Sequence, residues 1–433
     1  MDSVWTKTVR MPRFPALQGE LKTSVLVIGG GIAGLLCAYQ LCQAGVDCAL
    51  VEADRLCGGI TKNTTAKLTF QHGLMYDKLL RQAGAEKARL YLEANRAALE
   101  RYRALCGGIA CDFEEKDAFV YSVDSRKSIE KELHALERLG FDADFAEKLP
   151  LPFPVAGAVR FPRQAQFHPL KFAAAIAGGL PVFERTKVLE LAPGRAVTNG
   201  GVIFADKIVI ATHFPMLNKH GGYFLKLYQH RTYELALENA PDVQGMYVDA
   251  SKTGASLRNY KNLLLLGGGS HRTGKSGGGW RELEGLARRW YPDARETARW
   301  ATQDCMSLDG VPYIGQYAKS TPGLYVVSGF NKWGMTSAMA AAILLSDLIL
   351  GRDNPWEEVF CPARTILRPQ LALNLWESAL SLLTPTVPRC PHMGCALKYN
   401  AAERSWDCPC HGSRFDIHGA LIDNPACDGR SMK

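Results

Sequence analysis

Two kinds of apolar pattern alternate along this chain. Residues 24–28 (Ser-Val-Leu-Val-Ile) form a short, continuous, β-branched run, the signature of a strand covered on both faces. Residues 35–44 follow with apolar positions at helical spacing, and residues 47–51 give a second buried strand. The pattern returns much later. Lys207-Ile208-Val209-Ile210-Ala211-Thr212-His213 is a buried strand ending in small and polar residues, and residues 323–330 form a strand that meets Gly329. Asn331-Lys332-Trp333-Gly334-Met335-Thr336 then opens a helix over 337–350. A parallel strand–helix unit therefore begins near residue 24 and closes near 350, with long insertions between. The first insertion holds helices, chiefly 76–105 broken by Cys106-Gly107-Gly108, and a strand at 118–123. The second holds β-type runs at 225–237, 246–249 and 262–266, then a helix at 280–290. Residues 352–389 carry several prolines and one amphipathic stretch, 371–383, and read as a linker. The fold class is α/β (α+β overall).

The turn after the first strand narrows the chemistry. Gly29-Gly30-Gly31-Ile32-Ala33-Gly34 sets Gly29, Gly31 and Gly34 in G-x-G-x-x-G order between a strand and a helix. Glycines there allow a tight turn, approach of a pyrophosphate to the backbone, and close packing of helix on strand. The helix N-terminus then faces the phosphates. Glu52, ending the second strand, supplies a carboxylate for a ribose hydroxyl. A nicotinamide domain would be one contiguous unit; this dinucleotide fold is interrupted, which points to FAD.

Near the C-terminus stand Cys390-Pro391-His392 and, after fifteen residues, Cys408-Pro409-Cys410-His411. C-x-H…C-x-x-H is the ligand spacing of a Rieske-type [2Fe–2S] centre, in which Cys390 and Cys408 hold one iron and His392 and His411 the other. Zinc sites come as like pairs, C-x₂₋₄-C with H-x₃₋₅-H, and a c-type haem needs C-x-x-C-H. Residues 390–426 resemble the cluster-binding loops of Rieske proteins, including those of respiratory cytochrome bc complexes. That resemblance implies a disulfide between Cys395 and Cys410, a hydroxyl donor at Ser413, and a Phe415 where high-potential members carry Tyr. The cluster potential is then expected below the top of the Rieske range. Little β-sequence surrounds these loops, so the base sheet reads as abbreviated, leaving the cluster either shielded by the rest of the chain or exposed.

Beyond the fingerprint, Gly58-Gly59-Ile60-Thr61, Thr64-Thr65-Ala66-Lys67-Leu68-Thr69, Gln71-His72-Gly73, Ala211-Thr212-His213, Leu308-Asp309-Gly310-Val311-Pro312-Tyr313-Ile314-Gly315 and residues 329–336 resemble the FAD-dependent amine oxidoreductases of the D-amino-acid oxidase and glycine oxidase superfamily. The likeness is closest to a bacterial subgroup with a C-terminal Rieske module, and it covers essentially the whole chain. It implies an oxidoreductase over 1–351, with a Rossmann-type FAD-binding domain (about 20–75, 155–215 and 305–351) interleaved with an antiparallel-sheet substrate domain (about 76–154 and 216–304). A linker over 352–385 and a small all-β Rieske domain over 386–433 follow. FAD would lie against Gly29, Gly31, Gly34, Glu52, Thr61, Thr212, Gly329, Gly334, Met335 and Thr336. The last three open a helix whose N-terminus would stabilise negative charge on reduced flavin. Lys67, His72, His213, Arg231, Tyr233, Lys332 and Trp333 are the polar candidates near the flavin, and none is an obvious general base.

Composition sets the outer limits. The 433 residues carry a net charge of +8, with Lys and Arg scattered among acids and no basic stripe, so no nucleic-acid partner is expected and a tRNA-modifying role is disfavoured. No secretory signal and no apolar run long enough to span a bilayer appear, so the protein is expected in the cytoplasm. Cys37, Cys42 and Cys48 sit in apolar stretches as small hydrophobes. Gly269-Ser270-His271-Arg272-Thr273-Gly274-Lys275-Ser276 fits a P-loop regex, yet Gly277-Gly278-Gly279 separates it from any helix; it reads as a loop at the active-site mouth. The function implied is oxidation of a C–N bond in a small amine or amino acid, with electrons passing singly to the cluster and on to an unknown acceptor. The alternative is a flavin and iron–sulfur protein that relays electrons between partners.

Overall fold

The structure, a computed structural model, describes residues 2–217, 220–251, 254–385, 388–427 and 429. Its first layer is an eight-stranded sheet built around Gly19–Ile28, which pairs in parallel with Cys48–Val51 on one side and Gly201–Ile210 on the other. Val182–Phe183 and Leu324–Ser328 extend it in parallel, and Tyr313–Gln316 closes one edge antiparallel. Val25, Leu26 and Val27 are buried on both faces, as their continuous apolar run requires. Helices Ile32–Gln43 and Gly334–Ile349 pack side by side against this sheet. The first can do so only because residue 34 is glycine: a Cβ there would lie 1.9 Å from the Gly29 carbonyl oxygen.

The second layer is a nine-stranded, mainly antiparallel sheet in which Leu227–Glu238 lies between Arg295–Ser307 and Leu263–Arg272. Gly157–Gln166 falls in the stretch read from sequence as flavin domain. It pairs instead with Glu114–Ser122, Asp144–Ala146 and Lys67–Leu68 in this second sheet, where its partner strands sit. The 352–385 stretch is more ordered than a linker. It holds helices Glu357–Phe360 and Pro369–Leu383, and Arg364 forms a buried ion pair with Asp309 at 2.7 Å.

The Rieske module is a four-stranded sheet of three-residue strands, Lys398–Asn400, Ser405–Asp407, Arg414–Asp416 and Leu421–Asp423. Its small core of Cys390, Cys395, Leu397, Cys408, Cys410, Phe415 and Ala426 is too thin to stand alone, and the larger sheet completes it. Alternation along Leu227–Glu238 explains how. Tyr228, His230, Thr232 and Glu234 line a central cavity, whereas Gln229 and Arg231 turn to the other face and meet the module.

Arg231 was read from sequence as a substrate candidate. The structure corrects this: it donates to Glu403 through Nε (2.9 Å) and a terminal nitrogen, with its side chain only 3% exposed. Glu403 is shared with Arg414 (2.8 Å), which also binds Asp407 and Asp423, each at 3.0 Å. Tyr233 is likewise corrected. It faces Trp280, and its hydroxyl meets His271 Nε2 at 3.0 Å, away from the cavity. The pleat places odd and even residues on opposite faces, and a composition-based choice of polar residues does not see that parity.

Burial pushes the Glu403 carboxyl up, but Arg231 and Arg414 outweigh it and hold it below its ordinary range. A carboxylate with a depressed folded-state value contributes stability above about pH 4.3 and loses it as pH falls through that lower value. Glu403→Gln should leave the buried Arg231 guanidinium with only Asp423, at 4.0 Å, while Arg414 keeps Asp407 and Asp423, at a cost of about 3–5 kcal/mol. Proteolysis and EPR should then show a released, cluster-depleted Rieske module on a chain that keeps its flavin.

Candidate active site and cluster loops

A cavity of about 1370 Å³ runs between the two large sheets and reaches the Rieske module. It exceeds the usual range for a drug-sized ligand site. At one end lies the glycine turn. A Cβ on Gly31 would point into the cavity and meet only Thr61 Oγ1, at 3.5 Å, so this position is open to a ligand while Gly29 and Gly34 are closed by backbone. Glu52 accepts from the N–H groups of Gly30 (2.6 Å) and Asp54 (2.9 Å), which leaves acceptor capacity facing the cavity. Thr61 accepts from Ile32 N–H at 2.9 Å. The helix it adjoins has no side-chain cap at Gly31, so unsatisfied N–H groups and the positive end of the helix dipole face this space.

A further stretch of wall is the second uncapped helix, whose Gly334, Met335 and Thr336 line the cavity beside Trp333. Gly329 lines it too, at φ +74°, where a Cβ would crowd Leu227 and Ser307. Two helix N-termini without side-chain caps, both lining one cavity, fit a ligand with a pyrophosphate and an anionic ring. These are the features of FAD.

Several candidate side chains prove to be committed elsewhere. His72 stacks on Trp333, with ring centroids 5.0 Å apart, and bonds Tyr91 Oη (2.6 Å) through Nδ1 and the Thr69 carbonyl (2.9 Å) through Nε2. A carbonyl only accepts, so Nε2 carries the proton and Nδ1 accepts from Tyr91. Burial pulls this imidazole down to about 3, so it is neutral and structural. Thr212 donates its hydroxyl to the Phe214 carbonyl (2.9 Å), so it adjoins the cavity without a free donor. Lys67 and Lys332 do face the cavity. Lys67 Nζ lies 3.2 Å from Thr65 Oγ1, and Lys332 Nζ donates to Ser270 Oγ at 2.9 Å.

Opposite the two lysines stand Glu234 and Asp304, which sequence reasoning missed because each lies in a strand of mixed polar and apolar residues with no motif around it. Burial raises both carboxyls, Glu234 to about 7 against the opposing pull of Lys67. Burial in turn lowers the Lys67 ammonium to about 8. Glu234 Oε2 is buried with no hydrogen-bond partner among the described residues. Its carboxylate lies over Gly267, where a Cβ would be 2.4 Å from Oε1. Two acids and two amines thus line one cavity.

The two cluster loops are built alike. Cys390 N–H donates to the Cys395 carbonyl and Cys408 N–H to the Ser413 carbonyl, each at 2.8 Å. Gly394 and Gly412, both at positive φ, return N–H bonds to the carbonyls of Cys390 and Cys408. This presents Cys390 beside Cys408 and His392 beside His411, with imidazole centroids 4.9 Å apart. His411 Nε2 donates to the Phe224 carbonyl at 3.1 Å, leaving Nδ1 as a bare lone pair, buried and without a hydrogen-bond partner among the described residues. His392 Nδ1 is buried as well. Hydrogen bonds from Cys408, Ser413 and the backbone of His392 and Met393 outweigh burial and bring the Cys390 thiol down to about 7. Two adjacent thiols and two adjacent Nδ1 lone pairs are the donor set of a Rieske cluster. Cys395 and Cys410 are free thiols here, their sulfurs within 4.8 Å of each other and of Cys408.

The larger sheet shields these loops. Gln229 donates to the carbonyls of His411 (3.0 Å) and Asn424 (3.3 Å), Gln303 to that of Gly412 (2.9 Å), and Arg272 to that of Pro409 (3.0 Å). Gly274, in the stretch resembling a P-loop, packs so closely on Pro409 that a Cβ would come within 2.6 Å of its nitrogen. His213, another candidate, spans both sites. It lines the cavity, yet its Nε2 meets Gln229 Oε1 at 3.0 Å. Phe214, next in sequence, sets its ring 6.2 Å from His392 and 6.1 Å from His411.

Comparison with known proteins agrees with this geometry. The family model "FAD dependent oxidoreductase" (DAO) matches residues 24–348, and the Rieske [2Fe-2S] domain model matches residues 372–431. YhfW of Bacillus subtilis (strain 168), which bears the name of a Rieske 2Fe-2S iron-sulfur protein, is 32% identical over 98% of this chain and 96% of its own. Glycine oxidase from Geobacillus kaustophilus shares the fold with a TM-score of 0.66 and 21% identity, over 80% of this chain and 100% of its own. L-proline dehydrogenase from P. horikoshii does so with a TM-score of 0.67 and 17% identity, over 81% of this chain and 98% of its own. The chain belongs to the DAO family of FAD-dependent oxidoreductases and carries a C-terminal Rieske [2Fe-2S] domain.

Proposed function

We propose that the protein oxidises a C–N bond of a small amine or amino acid at FAD and passes the electrons singly to its own Rieske cluster. The observation that carries this reading is the shared wall: at the end of one flavin-domain strand His213 lines the cavity, and Phe214, next to it, packs on the cluster-loop residues His392 and His411. When bound, FAD supplies an acceptor for a hydride that can release electrons one at a time, and the cluster supplies a one-electron site.

Gly29, Gly31, Gly34, Glu52 and Thr61 would hold the adenosine and pyrophosphate end, and Thr212, Gly329, Gly334, Met335 and Thr336 the ring end. Cys390, Cys408, His392 and His411 would hold the irons. Glu234 and Asp304 would receive a substrate ammonium, and Lys67 and Lys332 a carboxylate. Glycine oxidase and L-proline dehydrogenase, which share the fold, are named for amino acids, in keeping with this substrate class. A relay between protein partners would not require two acids and two amines enclosed in the cavity.

Gly31→Ala should leave the empty fold undisturbed, since its methyl meets only Thr61, yet purified protein should lack flavin absorbance and keep the Rieske EPR signal. Glu234 is protonated below about 7 and becomes a carboxylate above it. Accordingly kcat/KM for a cationic amine should rise through that pH, and Glu234→Gln should flatten the rise and raise KM by roughly 10- to 100-fold, the worth of a hydrogen bond to a charge. Anaerobic mixing with a panel of amines and amino acids should bleach the flavin and then, in a second phase, reduce the cluster. Gln229→Leu, which removes the bridge from His213 to the His411 carbonyl, should slow only the second phase in stopped-flow spectra. If the flavin is fully reduced while the cluster stays oxidised, the relay is wrong; if no substrate bleaches the flavin, the C–N reading is wrong.

A further inference from the structure

Helix Pro369–Leu383 is built inside out. Its buried side chains are Asn374 and Ser381, both polar. Asn374 Oδ1 accepts from Arg272 at 2.9 Å, Glu377 pairs with Lys275 at 2.6 Å, and Ser381 donates to the Ala396 carbonyl at 3.3 Å. Every polar residue of the helix thus lies on or beside the face that meets the protein. The outward face is Leu373, Leu375, Trp376, Leu380, Leu382 and Leu383, between 43% and 81% exposed, together with Ala372 and Ala379. At 3.6 residues per turn these positions sweep an arc of about 180°. The arc carries no charge. Leu367, 82% exposed, extends it just before the helix begins. A globular surface helix normally shows the reverse arrangement, and a continuous exposed apolar face of this kind marks an interaction site.

The shape of the arc selects its occupant. A second copy packing helix on helix would cover a narrow seam spaced at three and four residues, such as Leu373, Trp376, Leu380 and Leu383. Leu375 and Leu382 lie outside that seam and would stay wet. A lipid surface covers the whole half-cylinder, accommodates Trp376 at the headgroup level, and needs no complementary partner shape. The chain's net charge of +8 favours anionic lipid over neutral lipid. We propose that this helix docks the protein on an anionic membrane surface, lying in the interface with its apolar arc in the lipid. Ser381, on the inner side, exchanges hydrogen bonds with the backbone of Ala396, next to Cys395 of the first cluster loop, so docking here brings that loop to the membrane boundary.

Flotation of the full-length holoprotein with phosphatidylglycerol vesicles, and separately with phosphatidylcholine vesicles, tests the proposal. The parent should float with phosphatidylglycerol and much less with phosphatidylcholine. A variant with Trp376→Gln, Leu380→Gln and Leu383→Gln should lose at least about tenfold in partitioning, because three large apolar side chains no longer leave water. All three positions are exposed and outside the cavity, so flavin absorbance, Rieske EPR signal and elution volume should be unchanged in the variant. A parent that stays in the soluble fraction, or a variant that floats as well as the parent, overturns the proposal. So does a lipid-free parent that elutes as a dimer while the variant elutes as a monomer, which would assign the face to a second copy. Equal flotation on both lipids overturns the choice of an anionic surface.

Discussion

The arrangement of the molecule depends on one buried ion network at the back of the strand Leu227–Glu238. Arg231, Glu403, Arg414, Asp407 and Asp423 lie within bonding distance of one another between the larger sheet and the Rieske module. Such a network adds little net stability, since taking five charges out of water cancels much of their attraction. It does fix position. Arg231 is satisfied in only one register of module against sheet, and any other register strands its buried charge, whereas Arg414 and its three carboxylates all belong to the module. Guanidinium suits this better than ammonium because its planar fork meets two carboxylates at once.

That register sets the distance between the two redox sites. With Arg231 locked on Glu403, its strand neighbour Gln229 reaches the His411 carbonyl, and Asn424 donates to the carbonyls of Thr212 and Phe214. The abbreviated Rieske sheet therefore does not leave the cluster loops in water. The larger sheet takes the place of the missing base, and His411 is 3% exposed. Shielding of this kind governs both the lability and the potential of an iron–sulfur site, because exposure to water stabilises the more charged, reduced form.

The same pleat divides labour in the cavity. Even residues of Leu227–Glu238 supply Glu234 and its neighbours to the substrate side; odd residues build the docking surface. Glu234, Asp304 and Lys67 are perturbed by burial first and by a neighbouring charge second, Lys67 on Glu234, Lys332 on Asp304 and Glu234 on Lys67. A low-dielectric pocket with opposed charges is where a zwitterionic ligand gains most over water.

The sequence by itself determined the two cofactor sites, because both are local. The C-x-H…C-x-x-H loops place their ligands through backbone bonds that span only four or five residues, and the G-x-G-x-x-G turn joins one strand directly to one helix, so spacing alone reveals them. Buried parallel strands were legible for a similar reason, as continuous apolar runs. The tertiary structure decided everything that depends on strand parity or on partners distant in the chain. It moved Arg231 from substrate ligand to docking ion pair, committed His72 to Tyr91 and Thr69, and set His213 as a bridge. It also brought Glu234 and Asp304 into the cavity from separate strands. A polar residue in a strand faces one of two environments, and only the pairing of that strand with its neighbours says which.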